Sequence, residues 1–182
     1  MGEEKPAEWY TGKYTEGAMK RYTALYLNAI ELIRQTVPDT DARIIDLGCG
    51  VGIFSQMLYE AGYQNYLGID FSAEVIKVAK VNAPNQLFLC NDLRDTSIQP
   101  LYTGCTCFVC LEVLEHIKDD MAVLVGVPKG ANLIFSLPTA DAQAHVRRFK
   151  TKEGVYARYS GTINIQKYFF IRKRHLCNGI KR

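Results

Sequence analysis

Glu112, Glu115 and His116 stand at i, i+3 and i+4 in the segment LEVLEHI, residues 111–117. One helical turn with that spacing puts all three side chains on a single face. Two carboxylates and an imidazole sharing a face suit a divalent ion such as Mg2+, with positions left open for substrate oxygens. Without a metal, His116 would act as general base, since an imidazole titrates near neutrality. In that case Glu112 lines a cofactor pocket, while Glu115 and His116 cap the following helix.

A second set of acids follows three apolar runs. The stretch RIIDLGCGVG, residues 43–52, spaces Gly48, Gly50 and Gly52 one residue tighter than the G-x-G-x-x-G dinucleotide fingerprint, with Cys49 between the first two and Asp46 just ahead. A carboxylate there repels a phosphate and attracts a cation, which favours S-adenosylmethionine, an adenosine cofactor with a positive end and no phosphate. Gly48 and Gly50 would let the backbone approach its methionine part, and Asp46 would draw the ammonium. Asp70 ends the run YLGID, and its two oxygens match a vicinal ribose diol. Phe71 beside it offers a face to adenine. Asp92 follows the third run, placed to accept from the adenine amino group while the Leu93 N–H reaches a ring nitrogen. Any one of these acids would equally cap a strand end; three after three successive strands point to one ligand.

The elements that must position these groups follow from periodicity. Apolar residues at helical spacing predict a helix from about Glu16 to Thr36, stopping before Pro38. Strands are expected at Ile44 to Leu47, Tyr66 to Asp70, Leu87 to Cys90, Thr106 to Leu111 and Asn132 to Leu137. Helices are expected at about Gly52 to Ala61, Ala73 to Asn82 and Ile117 to Val125. A polar segment, Thr139 to Ser160, precedes two β-rich stretches, Thr162 to Phe170 and His175 to Lys181, read as a closing pair. This alternation predicts an α/β fold, doubly wound, with a mostly parallel seven-stranded sheet, a final antiparallel strand and helices on both faces. One domain fills residues 1–182: an N-terminal lid and helix (1–38), a cofactor core (43–137), and a substrate segment with the closing strands (138–182). If strands one and four are neighbours, the Gly48–Gly52 turn faces Glu112–His116 across one crevice.

Together these motifs resemble the Rossmann-like class I S-adenosylmethionine-dependent methyltransferases. DLGCGVG is similar to their glycine-rich first motif, YLGIDFS to the acidic end of strand two, LCNDLRD to the strand-three acid and CLEVLEHI to the end of strand four. VPKGANLIFSLPT looks like their Pro-Gly loop leading into strand five. The resemblance runs from Ile44 to Thr139. The Glu-x-x-Glu-His pattern is similar to that of ubiquinone-biosynthesis O-methyltransferases and of small-RNA 3′-terminal 2′-O-methyltransferases, in which it looks like a metal site for adjacent hydroxyls. The RNA enzymes complete it with a downstream histidine, a place His145 matches loosely. The resemblance implies in-line methyl transfer to an acceptor, with a hydroxyl of a small molecule preferred. The Asn/Asp-Pro-Pro-aromatic motif of amide or adenine N-methylation is missing after strand four. Two alternatives stand beside this reading: an RNA 2′-O-methyltransferase using the basic C-terminal region, and a non-catalytic S-adenosylmethionine-binding partner subunit. A nicotinamide dehydrogenase is opposed by the glycine spacing and Asp46.

Acceptor contacts are expected outside the core. EWYTGKY supplies Trp9, Tyr10 and Tyr14 as a lid, with ordinary packing the alternative for Trp9; HVRRFKTKEGVYARY supplies His145, Arg147, Arg148 and Tyr156. Residues 146–182 hold eleven Lys/Arg against the one acid Glu153, while the other 145 residues carry eleven bases and eighteen acids. Such an end attracts an anionic substrate or RNA, or is simply a solvated surface. The six cysteines read as reduced small hydrophobes rather than disulfides, and Cys107-Phe-Val-Cys110 sits in a strand whose neighbours point to opposite faces, against a metal cluster. No run of eighteen apolar residues exists to span a bilayer, and Pro6 stands where a myristoylation signal wants Ser or Thr, so a cytoplasmic chain with no membrane partner is expected. The sequence carries no signal of oligomeric state.

Overall fold

The computed structural model describes residues 2–13 and 20–182. Tyr14 and the start of the expected first helix lie outside the described residues. Helix α1, Thr23–Thr36, buries Leu25, Ala29, Ile30, Leu32 and Ile33 along one stripe and ends at Val37, ahead of Pro38. Strands β1 (Ile44–Leu47), β2 (Tyr66–Asp70), β3 (Leu87–Cys90), β4 (Cys107–Leu111) and β5 (Asn132–Pro138) alternate with α2 (Ile53–Glu60), α3 (Ala73–Asn82) and α4 (Asp120–Gly126). Helix α5, Lys152–Tyr159, precedes β6 (Ile163–Ile171) and β7 (Arg174–Lys181).

The seven strands form one sheet in the order β3-β2-β1-β4-β5-β7-β6. All pairs from β3 to β5 are parallel, while β7 runs antiparallel to both β5 and β6. Strand order therefore reverses between β1 and β4, which meets the condition for a crevice between the Gly48–Gly52 turn and Glu112–His116. The near-continuous apolar strands are explained by burial on both faces. On β4, Phe108 and Cys110 point into the core under α4 and α5, whereas Cys107 and Val109 point into the core under α1 and α2. Burying side chains of this size is worth about 1.5–3 kcal/mol each, so each face holds its helices without help from local propensity. All six cysteines are free thiols, five of them buried.

One helical expectation is corrected. The helix expected from Ile117 starts at Asp120, because residues 114–116 form a separate 3-10 turn and Ile117 is extended at φ −105°, ψ 121°. The polar segment, Thr139 to Ser160, contains a helix that the sequence pattern did not place, α5. Its N-terminus is capped by Thr151, whose hydroxyl accepts from the Gly154 N–H at 3.2 Å. Only Val155 and Tyr159 on it are buried, too few to show a period in sequence. What fixes α5 instead is polar: Arg158 Nε and the Tyr159 hydroxyl donate to the fully buried carboxylate of Asp120 at 2.9 and 2.7 Å. Burial pushes the Asp120 carboxyl up, but these hydrogen bonds and the nearby Arg147 outweigh it and hold the group below its ordinary range. Among the described residues no helix is long and apolar enough to cross a membrane.

Candidate active site

The glycine turn leaves β1 with Gly48 at φ +83°, a conformation L side chains rarely adopt. A Cβ there would lie 2.4 Å from Val113 Cγ2, so the turn packs backbone against the end of β4. At Gly50 the equivalent Cβ would meet nothing within 4 Å; that space is a cradle a side chain would fill. The Gly50 N–H donates to Asp70 Oδ2 at 3.2 Å and the Ser72 N–H to Asp70 Oδ1 at 3.0 Å. Asp70, at the end of β2, is thus aimed along the crevice. Burial raises its pKa, against the opposing effect of these hydrogen bonds.

Two cavities meet at this point and share Tyr10, Gly48, Glu112 and His116 in their walls. The smaller, about 90 Å³, is lined by Asp70, Phe71, Asp92 and Leu93, the residues expected to hold adenosine. The larger, about 530 Å³, takes in Cys49, Gly50, Glu115 and His145, with Trp9, Tyr22 and Pro138 on its apolar side. Residues 2–13 lie over both. The Gly2 N–H donates to the His145 carbonyl at 2.8 Å, and Glu4 accepts from the Lys118 N–H and from Arg94, each at 2.8 Å. The Tyr10 ring stands edge-on to Phe71, with centroids 5.6 Å apart.

Asp46 is placed differently from its expected role. It is only 3% exposed, lines neither cavity, and accepts from the Tyr66 hydroxyl at 2.8 Å. Burial pushes its carboxyl up to about 7, with the Asp70 charge adding and the Tyr66 hydrogen bond opposing. A half-neutral group beneath the turn is a weak attractor for a cation. Asp92 does line the smaller cavity, but Arg94 grips both its oxygens, from Nε at 2.9 Å and Nη2 at 2.6 Å, and holds its pKa low.

The expected single helical face of Glu112, Glu115 and His116 does not form. Glu112 takes φ +59°, rare for a side-chain-bearing residue and costing on the order of 1–3 kcal/mol, which breaks the register before the 3-10 turn. Its carboxylate accepts from Ser136 Oγ at 2.9 Å and from Arg174 Nε at 2.8 Å. Glu115, His116 and His145 do converge: one ligand atom from each lies within 4.8 Å of the others. Glu115 is fully buried, and neither carboxyl oxygen has a hydrogen-bond partner among the described residues. Burial, with the Glu112 charge behind it, pushes its pKa well up. His116 Nδ1 lies 3.0 Å from the Ala144 carbonyl and 3.3 Å from the Tyr10 hydroxyl; His145 Nδ1 lies 3.1 Å from the Ala140 carbonyl. A carbonyl only accepts, so in each neutral ring the proton sits on Nδ1 and the Nε2 lone pair is left free. Burial, and secondarily His145, lower the His116 pKa to about 4, keeping that imidazole neutral. Two such nitrogens and a carboxylate form a donor set for a divalent ion, with the outer nitrogens oriented by backbone carbonyls.

Arg147 and Arg148 line neither cavity. Arg147 turns inward, donating to the carbonyls of Leu114, Ile117 and Lys118 and lying 3.2 Å from Asp120, because the short turn leaves those carbonyls unpaired. The Val146 N–H donates to the Glu115 carbonyl at 2.8 Å, so the His145 loop is clamped to the turn bearing Glu115 and His116. Arg148 pairs with Asp141 at 3.1 Å. Tyr156 packs toward Tyr168 on the flank of the sheet.

A family profile described as a methyltransferase domain matches residues 18–178. The chain belongs to this methyltransferase-domain family. The ubiquinone biosynthesis O-methyltransferase of Ralstonia nicotianae is 28% identical to it over 125 residues, 64% of this chain and 52% of that protein. The chain spans about half the length of the curated relatives it matches. Among solved structures, the PH0226 protein of Pyrococcus horikoshii OT3 superposes with TM-score 0.71 at 17% identity, covering 95% of each chain. Magnesium protoporphyrin IX methyltransferase from Synechocystis PCC 6803, solved with bound SAH, superposes at 0.67 and 17% identity over 94% of this chain and 90% of that one. These two likenesses show the fold, and they agree with the expected doubly wound sheet.

Around this methyltransferase-domain crevice the sequence reading missed Ser136 and Arg174, which hold Glu112, and Arg172 and Lys173, which line the larger cavity. The one available signal was IRKRH, a basic tetrad-like run falling between the two closing strands.

Proposed function

We propose that the domain methylates a hydroxyl of a small molecule, using S-adenosylmethionine bound along the β1–β4 crevice and a divalent ion at Glu115, His116 and His145. The observation that carries the reading is the buried, unpartnered Glu115 carboxyl facing two imidazoles with free Nε2 atoms, beside the wall shared by the two cavities. S-adenosylmethionine supplies, when bound, a sulfonium methyl already activated for displacement. The cradle at Gly50 and the diol-matched carboxylate of Asp70 fit that donor. Asp70 would accept from the ribose hydroxyls, Phe71 would pack on adenine, the Leu93 N–H and Asp92 would meet its polar edge, and Gly48 would let the backbone pass close. A divalent ion would add Lewis acidity toward a substrate hydroxyl. Glu112, fixed by Ser136 and Arg174, stands at the shared wall as a positioning group, and His116 on the same wall would be the base if no ion is bound, a weaker one than expected because burial lowers its pKa to about 4. Holding acceptor and methyl in line supplies on the order of 7–11 kcal/mol, the larger part of what the protein contributes.

Of the eleven bases in residues 146–182, Arg147 and Arg158 are drawn to Asp120 and Arg148 to Asp141, which interrupts the basic stretch as a continuous surface for RNA. The test is calorimetry with S-adenosylhomocysteine, followed by transfer of labelled methyl to small hydroxylated acceptors with Mg2+ or with chelator. Saturable binding and chelator-sensitive transfer are expected. Absence of binding defeats the reading, and binding without transfer to any acceptor favours the partner-subunit alternative.

A further inference from the structure

We propose that the acceptor carries an oxyanion, a carboxylate or a phosphate ester, and that Arg172 and Lys173 receive it; the inference rests on the methyl-transfer reading and names the substrate class of that same site. Strands β6 and β7 are joined by a two-residue turn, since Ile171 pairs with Arg174. Both turn residues have positive φ, +45° at Arg172 and +67° at Lys173. That geometry belongs to the type I′ hairpin, for which Asn-Gly is the favoured pair and long side chains are strained. Two cations occupy it instead. Strain of this kind persists only where the surrounding structure holds it.

The turn is also fixed in place. The N–H and the hydroxyl of Thr139, the residue following β5, donate to the Lys173 carbonyl at 3.0 and 2.9 Å. Arg172 and Lys173 line the larger cavity, as does Lys13. Neither turn side chain has an ion-pair partner among the described residues, whereas the acids of the same wall are taken: Glu112 by Arg174 and Asp141 by Arg148. The mouth of the cavity is therefore net cationic, and the same lining offers the apolar surfaces of Trp9, Tyr22 and Pro138. A small hydroxylated molecule with one oxyanion meets both features.

The experiment titrates 3,4-dihydroxybenzoate and uncharged catechol into the full chain by calorimetry, with and without saturating S-adenosylhomocysteine, and repeats each in the presence of inorganic phosphate. The wild type is expected to favour the carboxylate at least tenfold. Competition by phosphate assigns the pocket to phosphate esters as well, and no competition assigns it to carboxylates. The double variant Arg172→Asn/Lys173→Gly, which installs the favoured turn pair, is expected to lose the tenfold preference, keep its S-adenosylhomocysteine affinity within twofold and melt no lower than wild type. The conservative variant Arg172→Lys should retain the preference. Equal affinity for the acid and catechol in the wild type, or an unchanged preference in the double variant, overturns the proposal. So does preferential binding of a single-stranded RNA whose affinity falls steeply with salt. Failure of S-adenosylhomocysteine to bind is a failure of the donor reading, and the titrations run without it still decide the anion question.

Discussion

Asp46→Asn turns the burial of one carboxyl into a measurable pH dependence. The group titrates at 3.8 in a solvated chain and at about 7 in the fold. A raised carboxyl pKa means the folded state binds the proton more tightly, so its contribution to stability is present below pH 3.8 and is lost as pH rises through about 7. Three pH units at about 1.4 kcal/mol each give a total penalty of about 4 kcal/mol, of which about 2.5 kcal/mol develops between pH 5 and pH 8. Asparagine keeps an oxygen to accept from Tyr66 and does not titrate. Urea denaturation of both proteins at intervals from pH 5 to pH 8, without added cofactor, isolates Asp46, because other titrating groups cancel in the difference. Wild-type stability relative to the variant is expected to fall by about 2.5 kcal/mol over that range. A difference that stays flat, or one that grows in favour of the wild type, refutes the placement of Asp46 as a buried and largely neutral group.

Glu115→Gln should weaken Mn2+ or Mg2+ binding by at least the roughly 10–100-fold that loss of an outer-sphere partner costs, with S-adenosylhomocysteine affinity unchanged; metal titration by calorimetry checks it. Gly48→Ala combines a positive φ with a 2.4 Å approach to Val113, so a loss of about 2–5 kcal/mol is expected from strain and overpacking together, read as a lowered melting temperature and weaker S-adenosylhomocysteine binding. Asp120→Ala leaves Arg147 and Arg158 without their buried counter-charge and should cost about 3–5 kcal/mol in urea unfolding; a loss below about 1 kcal/mol would contradict the network.

The strands were legible to within a residue, the five parallel ones because each is an apolar run closed by a turn signal and the last two as β-rich stretches, and helix α3 matched from Ala73 to Asn82. Strand order was not legible, since alternation of elements implies parallel pairing but not which strands are neighbours; the β1–β4 pair entered only as a condition. Helix α5 was not legible, since tertiary hydrogen bonds from Arg158 and Tyr159 to Asp120 hold it rather than an apolar stripe. At the crevice, residue types were informative and depths were not. Asp70, Phe71, Asp92 and Leu93 came together as expected, and His145 joined Glu115 and His116 across about thirty residues. Sequence spacing assumed a helical turn at residue 112, and a single positive φ there sent Glu112 to Arg174. Arg147 read as an acceptor contact because nothing in a linear string reveals the open carbonyls of a neighbouring 3-10 turn.

The stretch from Gly2 to Lys13 roofs a chamber of about 90 Å³, well under the roughly 300 Å³ at which ordinary ligand pockets begin. A nucleoside entering there has to unseat that roof, breaking the Glu4 link to Arg94 and shifting Tyr10 from Phe71. Loading and release of the donor would thereby require the Gly2–Lys13 stretch to move, and because Gly2 is bonded to the carbonyl of His145, each such exchange would also loosen the loop that carries His145.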